Sequence, residues 1–477
     1  MTIQFDNIPS SIRKPGRYTE YNASLAAQGL PANAKSMVIL GQKTSSGIGT
    51  SNVPVKVFSS ADAILQAGQG SVAAIAADAA LKANPNLQLS IVPIPDGAGA
   101  AAVGTITVSG IASAGGSFEI WIGNVRVEVT VNNGDAVNDI ATAIDAAISD
   151  LEHLMPVTSG VSGAVVTLTA RNLGVLGNNI AISSKTNNVE TTALAIVQPV
   201  DGATDPSIAT ALTAIFPADY DVVLCTLNDA TNLGLLKTHL TSQSAPTEDR
   251  PATGYFGYNG VQATLETLAG TTLNYERLNV AYLKTTKTTE RGHSLDYEIG
   301  AAYASVVAGE EDPARPLNTL PLAGIAPAAL ENQLSRTQQE SLLLNGVTPL
   351  EVGVGEAVQI VRAITTYTTD STGTKSVAYL DLTTILSLDF GKLAIENRQA
   401  QRFPRTKLTT RTAALVKTEV LDVIRLLNDL EIWNPVEPDE VIVELDTQAV
   451  GRVNLQIPAK VVPGMHIIAN RLDLILS

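Results

Sequence analysis

Short apolar runs of strand length alternate with segments of helical periodicity along most of this chain, and the alternation is interrupted once. Ser36-Met-Val-Ile-Leu-Gly41 reads as a buried strand. Ser71 is placed to cap an Ala-rich helix that runs to Ala83, where Asn84-Pro85 stops it. The next strand covers 87–94. The same order resumes with strands over 220–227, 254–258 and 277–283, and helices over 230–240, 261–269 and 295–308. Strands and helices in this succession build βαβ units, so the expected fold class is α/β, multidomain, with a mostly parallel core.

The interruption, about 97–200, is rich in Gly, Thr, Val and Asn. Thr105-Ile-Thr-Val-Ser109 alternates with period two. Phe118-Glu-Ile-Trp-Ile122 and Val125-Arg-Val-Glu-Val-Thr-Val131 flank Gly123-Asn124, a two-residue hairpin turn. A helix over 136–148 and strands over 165–169 and 179–183 follow. The segment reads as an inserted β-rich surface domain, with Asp96-Gly97 and Asp201-Gly202 as hinge points.

Beyond 328 a third unit is expected. A helix over 334–344 ends at Asn345-Gly346, where Gly supplies the left-handed cap. Asp381 is a candidate cap for a helix reaching Arg402 through Gly391, and Thr412 for another. On that last helix Val416, Val420, Val423, Leu427 and Leu430 form one apolar face. Strand candidates at 441–445, 452–460 and 465–476 close the chain. The expected division is an extended N-terminal arm at 1–20, core at 21–96, insert at 97–200 and core again at 201–327. The α+β C-terminal domain then has a helical part at 328–440, with exchangeable terminal strands and an arm at 441–477.

Chemistry is hard to place on this sequence. One cysteine, Cys225, lies in a strand pattern and excludes an intramolecular disulfide and cysteine-rich zinc sites. His153, His239, His293 and His466 have no metal-ligand spacing. No nucleophile elbow is present. Gly41-Gln-Lys-Thr-Ser-Ser-Gly47 misses the phosphate-loop spacing and reads as a strand-to-loop turn. Gly353-Val-Gly355 lacks the third glycine of a dinucleotide site. The acidic groups Glu310-Glu311-Asp312 and Glu437, Asp439 and Glu440 read as solvated surface charge. No catalytic, cofactor or metal residues are assigned. A net charge of −15 opposes nucleic-acid binding. The N-terminus lacks the features of a signal peptide, and no run reaches the ~18 apolar residues of a membrane span.

Two features depart from this background. Between Lys392 and Lys417 the net charge is +6, against an acidic whole. Arg398, Arg402, Arg405, Lys407 and Arg411 are its candidate docking residues, since complementary charge sets register and association rate. A solvated helix face is the alternative. The termini are the second feature. The first 20 residues look extended, with Pro9, Pro15 and Gly16 denying a helix, and strand candidates end the chain. Unpaired strand edges recruit strands from other chains.

The opening Ile8-Pro-Ser-Ser-Ile-Arg-Lys-Pro-Gly-Arg-Tyr-Thr-Glu-Tyr21 resembles the start of contractile tail sheath proteins of Mu-like bacteriophages. So does Leu344-Asn-Gly-Val-Thr-Pro-Leu350 ahead of Val358-Gln-Ile-Val-Arg-Ala-Ile-Thr-Thr-Tyr367. The ending, from Val453-Asn-Leu-Gln-Ile-Pro458 to Arg471-Leu-Asp-Leu-Ile-Leu476, is similar too. The resemblance implies a virion tail subunit, assembled in the host cytoplasm, without cofactor, nucleic-acid partner or membrane insertion. It implies hexameric rings stacked in a helix around a tail tube, with baseplate and tail terminator proteins as further partners. Contraction then drives the tube through the host envelope. Carried onto this chain, strand exchange between subunits falls on Ile3, Phe5 and Ile8 of the N-terminal arm. At the other end it falls on Val453, Leu455, Ile457, Leu472, Leu474 and Leu476. The basic stretch falls near the tube. The sheath of a pyocin-like or type VI secretion machine is a neighbouring reading. From other classes, a soluble α/β enzyme with a β-rich insertion stays open on the βαβ pattern alone, and a secreted adhesin is opposed by the expected lack of a leader.

Overall fold

The computed structural model describes residues 35–287, 290–449 and 451–475, together with Lys14, Gly16, Arg17, Thr19, Leu30 and Asn33. Ile3, Phe5, Ile8 and Leu476 lie outside the described residues. The chain divides into two compact units, one built on Ala34–Leu386 with Pro463–Ser477, the other on Ser387–Val462 with the residues before Ala34.

The larger unit starts with β1 (Ser36–Gln42), β2 (Val55–Val57), α1 (Ser60–Ala67), α2 (Val72–Ala83) and β3 (Gln88–Ile94). Ser71 caps α2 by accepting the amide of Ala74 at 3.2 Å, and the helix ends before Asn84, as its sequence dictates. Seven of its twelve residues are buried alanines or Val72, small enough to press the helix onto the sheet. Gly41 marks the closest approach, where a Cβ would stand 2.8 Å from the Ala73 backbone.

The insert follows: β4 (Val103–Ser109), β5 (Gly116–Ile122), β6 (Val125–Val131), α3 (Val137–Asp150), β7 (Val157–Ser162), β8 (Val165–Ala170), β9 (Ile182–Asn187) and β10 (Ala193–Val200). It forms one antiparallel sheet in the order β10-β4-β8-β7 and another in the order β6-β5-β9. The hairpin predicted around Gly123-Asn124 pairs Ile122 with Val125, and Gly123 has φ +58°. Alternation is strict on these strands: Val127, Val129 and Val131 are buried while Arg126, Glu128 and Thr130 are not. Ile140, Ile144 and Ile148 of α3 close over this interior.

The core then resumes with α4 (Ala209–Ile215), β11 (Val222–Cys225), α5 (Ala230–Gln243), β12 (Thr253–Tyr258), α6 (Gln262–Thr267), β13 (Leu278–Tyr282), α7 (Asp296–Gly309), α8 (Arg336–Leu344), β14 (Thr348–Val352) and β15 (Val358–Ile360). One eight-stranded sheet results, ordered β15-β14-β13-β12-β11-β1-β3-β2. It is parallel except for its edge strands β2 and β15. The central strands are buried along their length, as a sheet covered on both faces requires. Cys225 is among them, and burial pushes its thiol up to about 12. Residues 328–386 were expected in a separate C-terminal domain. Instead β14 pairs with β13, through Ala281↔Thr348 and Tyr282↔Pro349, and joins the large unit.

The smaller unit carries most of α9 (Leu382–Arg402), then α10 (Thr410–Asp429), β16 (Ile442–Leu445) and β17 (Val453–Gln456). The cap of α10 is Thr409, accepting the amide of Thr412 at 3.2 Å, three residues before the expected Thr412. Asp381 precedes α9, and its carboxylate takes a bidentate pair from Arg362 at 2.9 Å. Val416, Val420, Val423 and Leu427 are buried; Leu430, at the end of the helix, is 55% exposed. The third strand candidate, 465–476, forms no strand among its described residues.

Gly391 sits mid-helix because Trp433 lies across it: a Cβ there would be 2.2 Å from Cζ2 of the indole. The indole Nε1 donates to the Ser387 carbonyl at 3.2 Å, one turn earlier. Ala would gain about 1 kcal/mol of helix propensity, but overpacking costs roughly 1–3 kcal/mol. We expect Gly391→Ala to lower the melting temperature, and Trp433→Leu in the same chain to recover part of the loss. A Gly391→Ala protein as stable as the parent in a thermal melt would contradict this packing.

Candidate functional site

Open parallel sheets hold ligands at the carboxyl ends of their strands, where the strand order reverses. Here the chain runs from β1 outward to β3 on one side and later returns to β11 on the other, so the reversal lies between β1 and β11. The insert fills that position. Gln42, fully buried at the end of β1, donates from Nε2 to the Leu173 carbonyl at 2.6 Å and to the Asp96 carboxylate at 2.8 Å. Asn172 donates to Asp96 at 2.9 Å and to the Lys43 carbonyl at 3.1 Å, and accepts the amide of Val72 at 3.0 Å. Burial holds the Asp96 carboxyl above its usual range, against the lowering effect of its hydrogen bonds from Asn172, Leu173 and Gln42. The space left between Gln42, Asn172, Leu176 and Tyr297 is about 10 Å³, at the lower limit for a single water.

The second half of the closure centres on Asp296, at the start of α7 and 2% exposed. Its Oδ2 accepts Nδ2 of Asn179 at 2.7 Å, from the insert, and Nδ2 of Asn228 at 2.9 Å, from the turn after β11. The Lys287 amine donates to the Asn178 carbonyl. Burial raises the Asp296 carboxyl to about 6 in spite of these donors. The expected hinges are therefore tied. Asp96 is held from three sides, and Gly202 exchanges hydrogen bonds with Asn178 at 2.8 and 2.9 Å. The 41–47 stretch is a closed turn, with Lys43 Nζ folded onto the carbonyls of Gly47 at 3.2 Å and Gly49 at 2.7 Å. Among the described residues no cluster of His, Cys, Asp and Glu is arranged to hold a metal ion, and no helix is long and apolar enough to cross a membrane. Sequence reading missed Asn172, Asn179, Asn228 and Asp296, because the partners described here are 68 to 129 residues away and no local pattern announces them.

A second group of candidate features lies on surfaces. In the smaller unit β16 and β17 form an isolated antiparallel ribbon, registered Leu445↔Val453 and Val443↔Leu455. Ile442 and Leu445 are exposed, and Val453, Leu455 and Ile457 are half-buried. In the larger unit His466 anchors the C-terminal segment, with Nδ1 3.0 Å from Asn318 Nδ2 and Nε2 3.5 Å from Asp381. Past it Ile467, Ile468, Leu472 and Leu474 are exposed, the last two at 96% and 86%.

The basic stretch divides. Arg398 is 6% exposed and bonds Glu419 of α10 at 3.1 Å, so it joins two helices and is not a surface cation as expected. Arg402 approaches the same carboxylate at 3.5 Å. Arg405, Lys407 and Arg411 stand exposed around the connection from α9 to α10, with no ion pair among the described residues.

A carboxyl whose folded pKa lies above its unfolded value makes the native state the better proton binder. Asp296 therefore costs stability as pH rises from about 4 to about 6, by on the order of 3 kcal/mol. We expect Asp296→Asn to melt close to the parent at pH 4 and several degrees above it at pH 7.5, by calorimetry at both pH values. A pH-independent difference would contradict the buried carboxylate.

Residues 201–366, which run from the end of the insert through β15, match the family model of the phage tail sheath protein central domain. Over its whole length, and the whole length of the relative, the chain is 28% identical to the Mu-like prophage FluMu tail sheath protein of Haemophilus influenzae. It is similar in structure to the sheath tail protein of Desulfitobacterium hafniense, with a TM-score of 0.52, 13% identity, and coverage of 94% of this chain and 97% of the other. It is similar also to a chain of the anti-feeding prophage baseplate in its contracted state, with a TM-score of 0.53, 14% identity, and coverage of 97% and 99%. At these identities the two structures speak for the fold.

Proposed function

We propose that this chain, a phage tail sheath protein by its central domain and its full-length similarity, is the structural subunit of a contractile tail sheath. The observation that carries the reading is the similarity to a Mu-like prophage tail sheath protein with both chains covered from end to end. The filled crevice supports a structural role over catalysis, since the place where such a sheet would take a substrate has room for about one water.

In this reading the subunits form hexameric rings stacked in a helix around a tail tube, between a baseplate and a tail terminator, in a virion tail put together in the host cytoplasm. Contraction releases energy stored at assembly and needs no nucleotide. Exposed termini supply the links. A two-stranded ribbon such as β16–β17 is marginal by itself, and strands added from neighbours complete its backbone hydrogen bonding. Ile3, Phe5 and Ile8 from one neighbour, and Leu472, Leu474 and Leu476 from another, are the proposed added strands. Val453, Leu455 and Ile457 belong to the recipient. Arg405, Lys407 and Arg411 are the proposed contacts to the tube, while Arg398 and Arg402 brace the helices behind them.

Purified full-length protein at high concentration should form hollow striated cylinders in negative-stain electron microscopy, and a chain lacking residues 1–16 should stay dispersed. Dispersed full-length protein under all conditions overturns the sheath reading; cylinders from the truncated chain overturn strand exchange by the N-terminal arm. Replacing Arg405, Lys407 and Arg411 by Glu should leave folding intact and cut assembly on tail tubes at least tenfold. Normal extended tails from that triple variant would remove the docking role.

A further inference from the structure

The C-terminal segment is tied down twice, by unlike means. In the smaller unit the tie is main-chain: Asn434 donates its amide to the Lys460 carbonyl at 2.7 Å, Val462 donates to Ile432 at 3.1 Å, and Val461 bridges to Trp433. From Pro463 onward the segment belongs to the larger unit. There no main-chain hydrogen bond joins it to the rest of the chain among the described residues. Its hold is the His466 side chain, with Gly464 passing so close to Pro316 that a Cβ would stand 2.8 Å from Cγ. Met465 and Ile467, on either side of the histidine, are 75% and 81% exposed.

That hold is incomplete, and the core does not depend on it. Nδ2 of Asn318 donates to Nδ1 of His466 at 3.0 Å, which places the imidazole proton on Nε2. Nε2 faces Asp381 at 3.5 Å, too far for a good hydrogen bond. It and Oδ1 of Asn318 are both buried without a partner. A buried polar atom left unpaired counts against the contact that buries it. Asp381 has no need of the imidazole: each of its oxygens accepts from Arg362 at 2.9 Å, and its backbone bridges to Ile364. The histidine can leave without undoing that pair.

Where the free arm starts decides how far it extends. Residues 467–471 lie between His466 and Leu472, where the proposed added strand begins. Fully extended they span roughly 17 Å, at about 3.4 Å per residue. With His466 released, the arm is free from Pro463 and the stretch ahead of Leu472 spans roughly 31 Å, while the main-chain tie at Val462 stays made. A linker too short to reach its site gives almost no effective concentration there, and one that just spans the gap gives the most. The state of one side chain therefore changes which neighbours the arm can engage.

We propose that His466 is a releasable anchor that gives the C-terminal arm two lengths: short while the imidazole sits on Asn318, and about 14 Å longer once it leaves. A strand already added to a neighbour stays paired while the two subunits move apart, because the arm lengthens at its weak tie before the added strand tears. The inference rests on the sheath reading for its setting. It adds to that reading the place where the arm is held and the means by which its reach changes.

The test has two readouts. In the full-length chain Met465→Cys takes a nitroxide label beside the anchor; Met465 is exposed, and the native Cys225 is buried and stays unlabelled. The label should tumble slowly in the soluble protein, and Asn318→Ala, which leaves the arm untouched, should shorten its correlation time at least threefold. Assembly is read as the critical concentration for cylinder formation, in chains whose melting curves match the parent. Deleting residues 467–470 should raise it at least tenfold, because the anchored arm is then too short. Adding Asn318→Ala or His466→Ala to the deletion should bring it back to within threefold of the parent, since release frees as many residues as were removed. With cylinders from the parent, a label equally mobile in both chains, a deletion without effect, or a deletion that neither substitution rescues overturns the anchor and leaves the sheath reading standing. A held label freed by Asn318→Ala, with no cylinders from the parent, supports the anchor and counts against the sheath. A label mobile throughout and no cylinders overturn both.

Discussion

Everything in the larger unit depends on how the insert closes the carboxyl end of the parallel sheet. A parallel sheet leaves polar strand ends at its switch point, and a buried polar group without a partner costs about 1–3 kcal/mol. In an enzyme those ends face substrate. Here Gln42, Asn172, Asn179 and Asn228 supply most of the partners internally, around the carboxylates of Asp96 and Asp296, though Oε1 of Gln42 stays without one. The amides are suited to this because each offers donors and an acceptor in a fixed plane. Asp296 retains the cost of a desolvated acid, seen in its raised pKa. The gain is fixity: insert and core are joined by polar groups that have specific geometry as well as by apolar contact.

The perimeter has the opposite character. β16–β17 is a ribbon short of neighbours, the C-terminal segment exposes leucines and isoleucines past His466, and Phe58 stands nearly bare at a sheet edge. Such surfaces are liabilities in a monomer. They are the expected surfaces of a subunit whose stable state is a polymer, and the family match to tail sheath proteins gives them that setting.

The sequence made the sheet legible through period and punctuation. Ser71 and Asn84-Pro85 delimit α2, Gly123-Asn124 turns a hairpin, and the strands at 36–41 and 87–94 pair as neighbours. It misled where a local signal had a nearer competitor. Thr412 looks like a helix cap, but Thr409 lies three residues earlier and does the capping. The cluster of basic residues looked uniform in sequence, yet Arg398 is drawn inward by Glu419, 21 residues on. The place of β14 was unreadable for the same reason: a strand's sheet is chosen by partners, and its partner β13 lies some 65 residues back. Gly391 was noted only as an interruption; its meaning lies in Trp433, 42 residues away.

Magnitudes decide which of the proposed contacts would persist while subunits move. An exposed ion pair contributes about 0–1 kcal/mol and is screened by salt, so contacts through Arg405, Lys407 and Arg411 are individually weak and free to break. A strand added to a four-residue ribbon forms several main-chain hydrogen bonds at once, each worth about 1 kcal/mol net, and buries apolar side chains besides. Strand links then outlast charge contacts by several kcal/mol per subunit. A sheath that contracts without dispersing needs this ranking: the proposed strand mesh keeps neighbours together while the charged face releases the tube.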